Sequence, residues 1–287
     1  MKTIHLVFLP LLAALFLLPC CQDYSSPYTD VEFEAQARGF DGTIYDYLLQ
    51  GDADLGVRFD SMIVLIQGIE GRQELLSDPD AELTFFAVSN ESFQATLQTF
   101  NRVREVRQKS AIYMNDLLIE PFMVIIPIDT AYLRNAEGSL IYDDDGRRMV
   151  DSVRYSRTRY DYRKQADTLL CRYIFQGIYD FDAVAGNFRG IEPQSIVYNI
   201  RMHIQSERQA SSGITNSGAK RLVFSDMGNS KLTTDWLRSH TRQIDIRARN
   251  GVIHVLATGH EFGFNGFFNM FSDYFIIEDD DEEDDDE

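Results

Sequence analysis

Residues 250–261 read Asn-Gly-Val-Ile-His-Val-Leu-Ala-Thr-Gly-His-Glu. Two histidines stand six positions apart, and a glutamate follows the second. The stretch is either a metal site or a buried strand that contains imidazoles. A zinc helix of the HExxH kind needs its histidines at i and i+4 on one helical face, whereas "HVLATGH" spaces them wider and places Gly259 between them. In a strand, alternate side chains face opposite sides. Val252, His254 and Leu256 then share one face, and Ile253 and Val255 the other, with Gly251 and Gly259 as brackets. The spacing predicts a core strand whose His254 is hydrogen-bonded, as buried polar groups are, with His260 outside it. No metal is expected.

A second segment, "ELTFFAVSNESFQATLQTF" (82–100), has the same character at its start. Leu83 to Val88 are apolar and β-favouring, which predicts a short buried strand. Ser89 and Asn90 are placed to cap the helix that follows, and Glu91 suits its positive end. Phe93, Leu97 and Phe100 fall on one helical face. Arg102–Lys109, a basic cluster at helical spacing, reads as a solvated face.

Together these segments resemble the fasciclin (FAS1) domain. "LTFFAVSNESF" is similar to its first signature box, with Phe86, Ala87, Ser89, Asn90 and Phe93 at the matching positions. "NGVIHVL" is similar to its second, through Gly251, His254 and Val255. "TIYDYLL" (43–49) resembles the family's first helix, and "LLCRYIFQGIY" (169–179) its LxYHVVPGxY segment. Val88 stands where the first box usually has proline, Ala257 where the second has aspartate, and Arg172-Tyr173 occupy the Tyr-His pair. The integrin-linked surfaces of animal members therefore do not carry over. The resemblance implies an α+β fold, a FAS1-like β-sheet wedge with flanking helices. It would form one domain over 40–277, enlarged by an inserted or remodelled region at 101–165. It also implies a non-enzymatic adhesion or binding module.

The remaining segments fit that class. "GFDGTIYDYLLQGD" (39–52) predicts a helix capped by Asp41 or Thr43, and 59–76 continues with helical patterning. "PFMVIIPI" (121–128) predicts a strand held by Pro121 and Pro127. "GSLIYDDDGRRMVDSVRYS" (138–156) predicts a hairpin with Asp145-Gly146 at its turn. That acidic turn does not fit a calcium loop, because Ile141 and Ser152 stand where carboxylates are needed. In "RMHIQ", the alternation of Ile200, Met202 and Ile204 predicts a half-buried strand with His203 on the wetter side. The C-terminal half is mostly strands, so the class is α+β. "RYSRTRYDYRK" (154–164) interleaves Tyr155, Tyr160 and Tyr162 with five basic residues, a candidate stripe for stacking sugars or anionic polymer. "FNGFFNMFSDYFII" (264–277) carries too much apolar surface to stay exposed and is expected to close the core as a final strand or helix.

At the N-terminus, a charged start precedes the apolar run 4–18, which is short and broken by Pro10, the pattern of an export signal over 1–21. It ends in "LLPCC", which resembles a bacterial lipobox with Cys20 or Cys21 as the acylated residue. Residues 22–39 read as a polar tether. Beyond the signal the one cysteine is Cys171, in the apolar run "LLCRYIF", where a buried thiol is expected. The net charge of −18 is uneven: residues 278–287 are all Asp or Glu, and the rest of the chain holds 35 acidic against 27 basic residues. The acidic run is expected to be a disordered tail. Nothing is basic enough for nucleic acid. The expectation is a lipid-anchored protein of the outer membrane or cell surface, possessing no cofactor or catalysis. Its partners would be the membrane, through the N-terminal lipid, and a surface protein or a glycan. The rival is an accessory glycan-binding lipoprotein of an outer-membrane polysaccharide-uptake system.

Overall fold

The computed structural model describes residues 37–210 and 218–272. Cys20 and Cys21, the tether up to residue 36, the acidic run 278–287 and the last part of the aromatic segment, from 273 on, lie outside the described residues. In chain order the first half contains β1 (Arg38–Gly39), α1 (Ile44–Gln50), α2 (Asp60–Gly68), α3 (Arg72–Ser77), β2 (Leu83–Ala87), α4 (Asn90–Val106), β3 (Phe122–Tyr132) and β4 (Val150–Tyr160). The second half contains α5 (Tyr162–Leu170), β5 (Ile174–Gln176), α6 (Phe181–Ala185), β6 (Met202–Arg208), β7 (Lys220–Asp226), β8 (Leu237–Ala248), β9 (Gly251–Leu256) and α7 (Gly266–Phe271). The class is α+β, as the patterning predicts.

Among the described residues, the main sheet runs in the order β5-β2-β9-β8-β7-β6, with β1 parallel to the far end of β8. Arg38 and Gly39, expected in the tether, are thus part of the sheet. The two box strands lie side by side: β2 and β9 are parallel, with Leu83 opposite Gly251 and Phe86 opposite His254. All of β2 is buried, and so is β9 after Gly251. That explains why both read as near-continuous apolar runs, the pattern of strands covered on both faces. β8 pairs with β7 through 237–240 and with β9 through 241–248, and its register against β9 shifts between Thr241 and Gln243 and again between Gln243 and Ile246. Asp245, at φ 56°, is the left-handed residue of that bulge.

The helix ends show local rules at work and one place where they fail. Thr43 caps α1 by accepting from Asp46 N–H at 3.2 Å, while the Asp46 carboxylate accepts from Thr43 N–H at 2.8 Å, a capping box. Ser89 holds the N-cap position of α4, but its buried hydroxyl makes no hydrogen bond. Asn90 does not cap α4 either. Its Oδ1 accepts from Ser61 N–H at 3.0 Å and its Nδ2 donates to Asp60 at 2.7 Å, so it caps α2 instead. The expected local cap is overridden because the end of β2 brings Asn90 to the start of α2.

Two further expectations are corrected. Arg104, placed on a solvated face, is buried, with its Nε donating to Ser110 O at 2.6 Å and its guanidinium over the Phe100 ring. The chain doubles back along α4, and Asn101 holds Ile112 through both of its amide atoms. His203, placed on the wet side of β6, is also buried, because the loop 187–193 folds over it. Between α4 and α5 the chain extends as a long antiparallel hairpin, β3 with β4. Its register slips at Pro127, where a proline is tolerated. The Asp145-Gly146 turn is present, closed by Gly146 N–H to Asp143 O at 3.0 Å. The aromatic C-terminal segment does close the core as far as it is described: Phe264, Phe267 and Phe271 are buried on and before α7.

Candidate functional site

The stretch 250–261 is a structural joint. Asn250 Oδ1 accepts from Ile44 N–H at 2.8 Å, and its Nδ2 donates to Leu76 O at 2.9 Å. Its own carbonyl accepts from Leu83 N–H at 3.1 Å. One buried side chain thereby ties α1 and α3 to the start of β9. Gly251 lies so close to β2 that a Cβ there would sit 2.1 Å from Leu83 O. His254 is fully buried. Its Nδ1 accepts from Asp245 N–H at 3.2 Å, so its Nε2 carries the proton and donates to Tyr179 O at 3.0 Å. Burial pulls its pKa down to about 4. The neutral ring makes no ion pair with the Asp245 carboxylate 3.9 Å away. The other box residues also point inward. Phe86 stacks on Phe224 at 4.1 Å and Phe93 on Phe262 at 4.2 Å, while Ala87 and Val255 are buried.

His260 is outside the strand yet also buried. Tyr173 OH accepts from Gly263 N–H at 2.7 Å, leaving its proton for His260 Nε2 at 2.8 Å. Burial lowers the His260 pKa to about 3. The two histidines therefore serve separate partners. Among the described residues no group of three metal-ligating side chains converges. Cys171 is buried, its thiol donating to Asp167 at 3.3 Å, and burial followed by that carboxylate pushes its pKa up to about 12. Burial also works against ionised Asp167. The two hydrogen bonds from Arg72 (2.7 and 2.9 Å) and one from Tyr198 (2.7 Å) outweigh it and hold the carboxyl below its ordinary value.

The tyrosine stripe does not survive folding. Tyr162 is buried, against Phe122 and Phe271. Tyr160 is half-buried and stacks on Phe122 at 5.6 Å, so both tyrosines anchor the root of the hairpin to the core. Tyr155 alone of the three is well exposed, on a hairpin face with Met123 and Ile125. Several of the basic residues are paired: Arg154 with Asp129, Arg159 with Asp161, and Arg163 with Glu120. A sheet residue's face is legible from alternation, but the stripe spans a strand end and a helix start, where alternation breaks.

A different surface has the form of a binding site. At the β6 edge of the sheet, an open cleft of about 740 Å³ is floored by His203, Ser225 and Arg238, which are neighbours across β6, β7 and β8. One rim is the loop of Phe188, Arg189 and Glu192, and the other the loop from Met227 to Trp236. Trp236, the chain's single tryptophan, donates its indole N–H to Ser230 O at 2.9 Å and leans on the His203 ring at 4.6 Å. Gly190, at φ 77°, lets the rim loop reach β6, since a Cβ there would meet Ile204 O at 2.4 Å. Arg189, Arg201, Lys231 and Arg238 line the cleft against a single carboxylate, Glu192, which pairs with Arg201 at 3.8 Å. The cleft is thus cationic on a chain of net charge −18. Sequence reasoning missed it because its residues come from three separated segments. The one available signal was the lone tryptophan, in "KLTTDWLR".

No family model matches the chain, and no curated protein matches it. Among solved structures, it is similar to a FAS1 domain pair from the insect cell adhesion molecule Fasciclin I. The identity is 11%, with a TM-score of 0.42, over 77% of this chain and 50% of that one. The chain thus spans about half the length of that structure.

Proposed function

We propose that this chain is a non-enzymatic binding module, held at a membrane surface by lipid on Cys20 or Cys21, that takes its ligand in the cleft beside Trp236. The cleft carries the reading. It is concave and presents an aromatic face and four cations, yet offers no working acid-base pair. Its carboxylate, Glu192, is paired with Arg201, and the His203 Nε2 is engaged at 2.8 Å with Arg189 O. A catalytic site needs a converging nucleophile, acid or base. The "LLPCC" run supports the anchor, since a lipid-bearing cysteine after an export signal holds a protein to a bilayer.

Two measurements test this. Replacing Cys20 and Cys21 together by Ser should move the protein from the membrane fraction to the soluble one after a high-salt wash. Retention in the pellet would refute the anchor. A panel of extracellular polysaccharides and matrix proteins, followed by Trp236 fluorescence and by product release, should show binding without turnover. Product formation would refute the non-enzymatic role, and silence toward the whole panel would refute the cleft as the binding site. The second reading, an accessory glycan-binding lipoprotein of an outer-membrane polysaccharide-uptake system, is favoured by the same tryptophan. It is tested by whether the gene neighbours an outer-membrane transporter.

A further inference from the structure

We infer that the ligand of the Trp236 cleft is an acidic oligosaccharide, bearing uronate carboxylates or sulfates; this rests on the cleft being the binding site proposed above. The indole is held at its N–H by Ser230 and along the ring by His203, and its remaining surface lines the cleft. A fixed aromatic platform amid polar side chains suits the C–H face of a pyranose ring, because the apolar contact and the hydroxyl hydrogen bonds are met together. Gln205, Asn229 and Thr233 supply neutral hydrogen-bonding groups around it.

The anion is specified by the side chains. Several backbone N–H groups of the rims are used within their own turns: Arg189 and Gly190 to Asn187, Gly228 to Asp226, and Ser230 to Met227. The cationic groups that line the cleft are three guanidiniums and one ammonium. Planar guanidinium forks match carboxylate and sulfate oxygens in pairs. Four cations grouped on an acidic chain also make a local field that draws anions into the cleft.

Other occupants fit less well. A nucleobase favours two aromatic faces, and Phe188 on the facing rim already holds the Arg189 guanidinium over its ring at 5.4 Å. An extended peptide would add to the β6 edge. At this point the edge is taken, since Ile191 and Ile204 exchange both backbone hydrogen bonds, at 2.8 and 2.9 Å.

The lone tryptophan gives the test its readout. The purified full chain in detergent micelles would be titrated with tetragalacturonate and a chondroitin sulfate tetrasaccharide. Cellotetraose, poly-glutamate and ADP are the comparison probes. The expected result is a saturable change in Trp236 fluorescence with at least one acidic saccharide, and binding at least about tenfold weaker for cellotetraose. Arg201→Gln with Arg238→Gln should weaken the acidic saccharide by about tenfold or more, and added salt should do the same in the wild type. Lys231→Gln, an exposed change, gives a second variant whose folding is not in question, and it should weaken binding to a lesser degree. Trp236→Phe, read by calorimetry, should retain part of the affinity. Equal binding of poly-glutamate or ADP would overturn the saccharide part of the assignment, and equal binding of cellotetraose its acidic part, each leaving the cleft a binding site. No binding of either acidic saccharide would overturn the assignment as well. Cleavage of the saccharide would instead refute the non-enzymatic reading and keep the ligand class.

Discussion

Replacing His254 tests how the second box stabilises the fold. The imidazole joins the left-handed bulge at Asp245, through that residue's N–H, to the carbonyl of Tyr179, and its ring packs 5.0 Å from Phe86. His254→Ala would orphan a buried donor and a buried acceptor, each worth about 1–3 kcal/mol when left unpaired. It would also remove ring packing, so a loss of about 3–5 kcal/mol is expected, the range of large-to-small core changes. His254→Phe keeps a ring of similar size and isolates the hydrogen bonds, with an expected loss of about 2–4 kcal/mol. Urea unfolding of both variants measures this. A Phe variant within about 0.5 kcal/mol of wild type would refute the claim that the two bonds stabilise the joint. The pH dependence supplies an independent check. The folded pKa is about 4, below the unfolded 6.5. Falling pH therefore protonates the unfolded chain while folded His254 stays neutral. The contribution is complete above about pH 6.5 and is lost as pH falls through about 4. At about 1.4 kcal/mol per unit, the window amounts to about 3 kcal/mol. The Phe variant should lose that slope. An acid profile identical to wild type would show that His254 is not the titrating group.

His260, lowered to about 3 by burial, should add a second slope of the same sign, extending further into acid. His260→Gln should remove it in the same urea series. Gly251→Ala should cost about 3 kcal/mol or more, because its Cβ would meet backbone at Leu83 O that cannot move without unpairing β2 from β9. Thermal melting of the variant checks this, and an unchanged midpoint would contradict the close approach. Arg72→Met should destabilise by about 3–5 kcal/mol, since it strips the bidentate partner from buried Asp167. Cys171, with its thiol pushed up to about 12, should resist alkylation in the folded protein and react once urea unfolds it, as followed by mass.

The sequence by itself determined the elements whose local pattern and final environment agree. β2 and β9 were legible because strands buried on both faces are apolar throughout, so covering them needs no further information. Thr43 was legible as a cap because its partner, Asp46, lies three residues on. The strand at 250–256 was legible from its alternation and from its likeness to the second box, and the wide spacing of its histidines does not fit a helical zinc motif.

Only the tertiary structure decided what covers each face. His203 alternates correctly along β6, yet a loop held close by Gly190 buries it. Arg104 sits at a surface-like position of α4 until the chain folds back over it. Asn90 meets the start of α2 before it can serve its own helix, and Tyr162 turns inward where β4 gives way to α5. The cleft at Trp236 is the extreme case. Its floor comes from three strands that pair across the sheet, and its rims from two distant loops, so no window of sequence contains it. Periodicity records which side chains share a face. Whether that face meets water, core or ligand depends on segments far away in the chain, and their arrival is settled by burial and by the pairing of backbone groups over the whole fold.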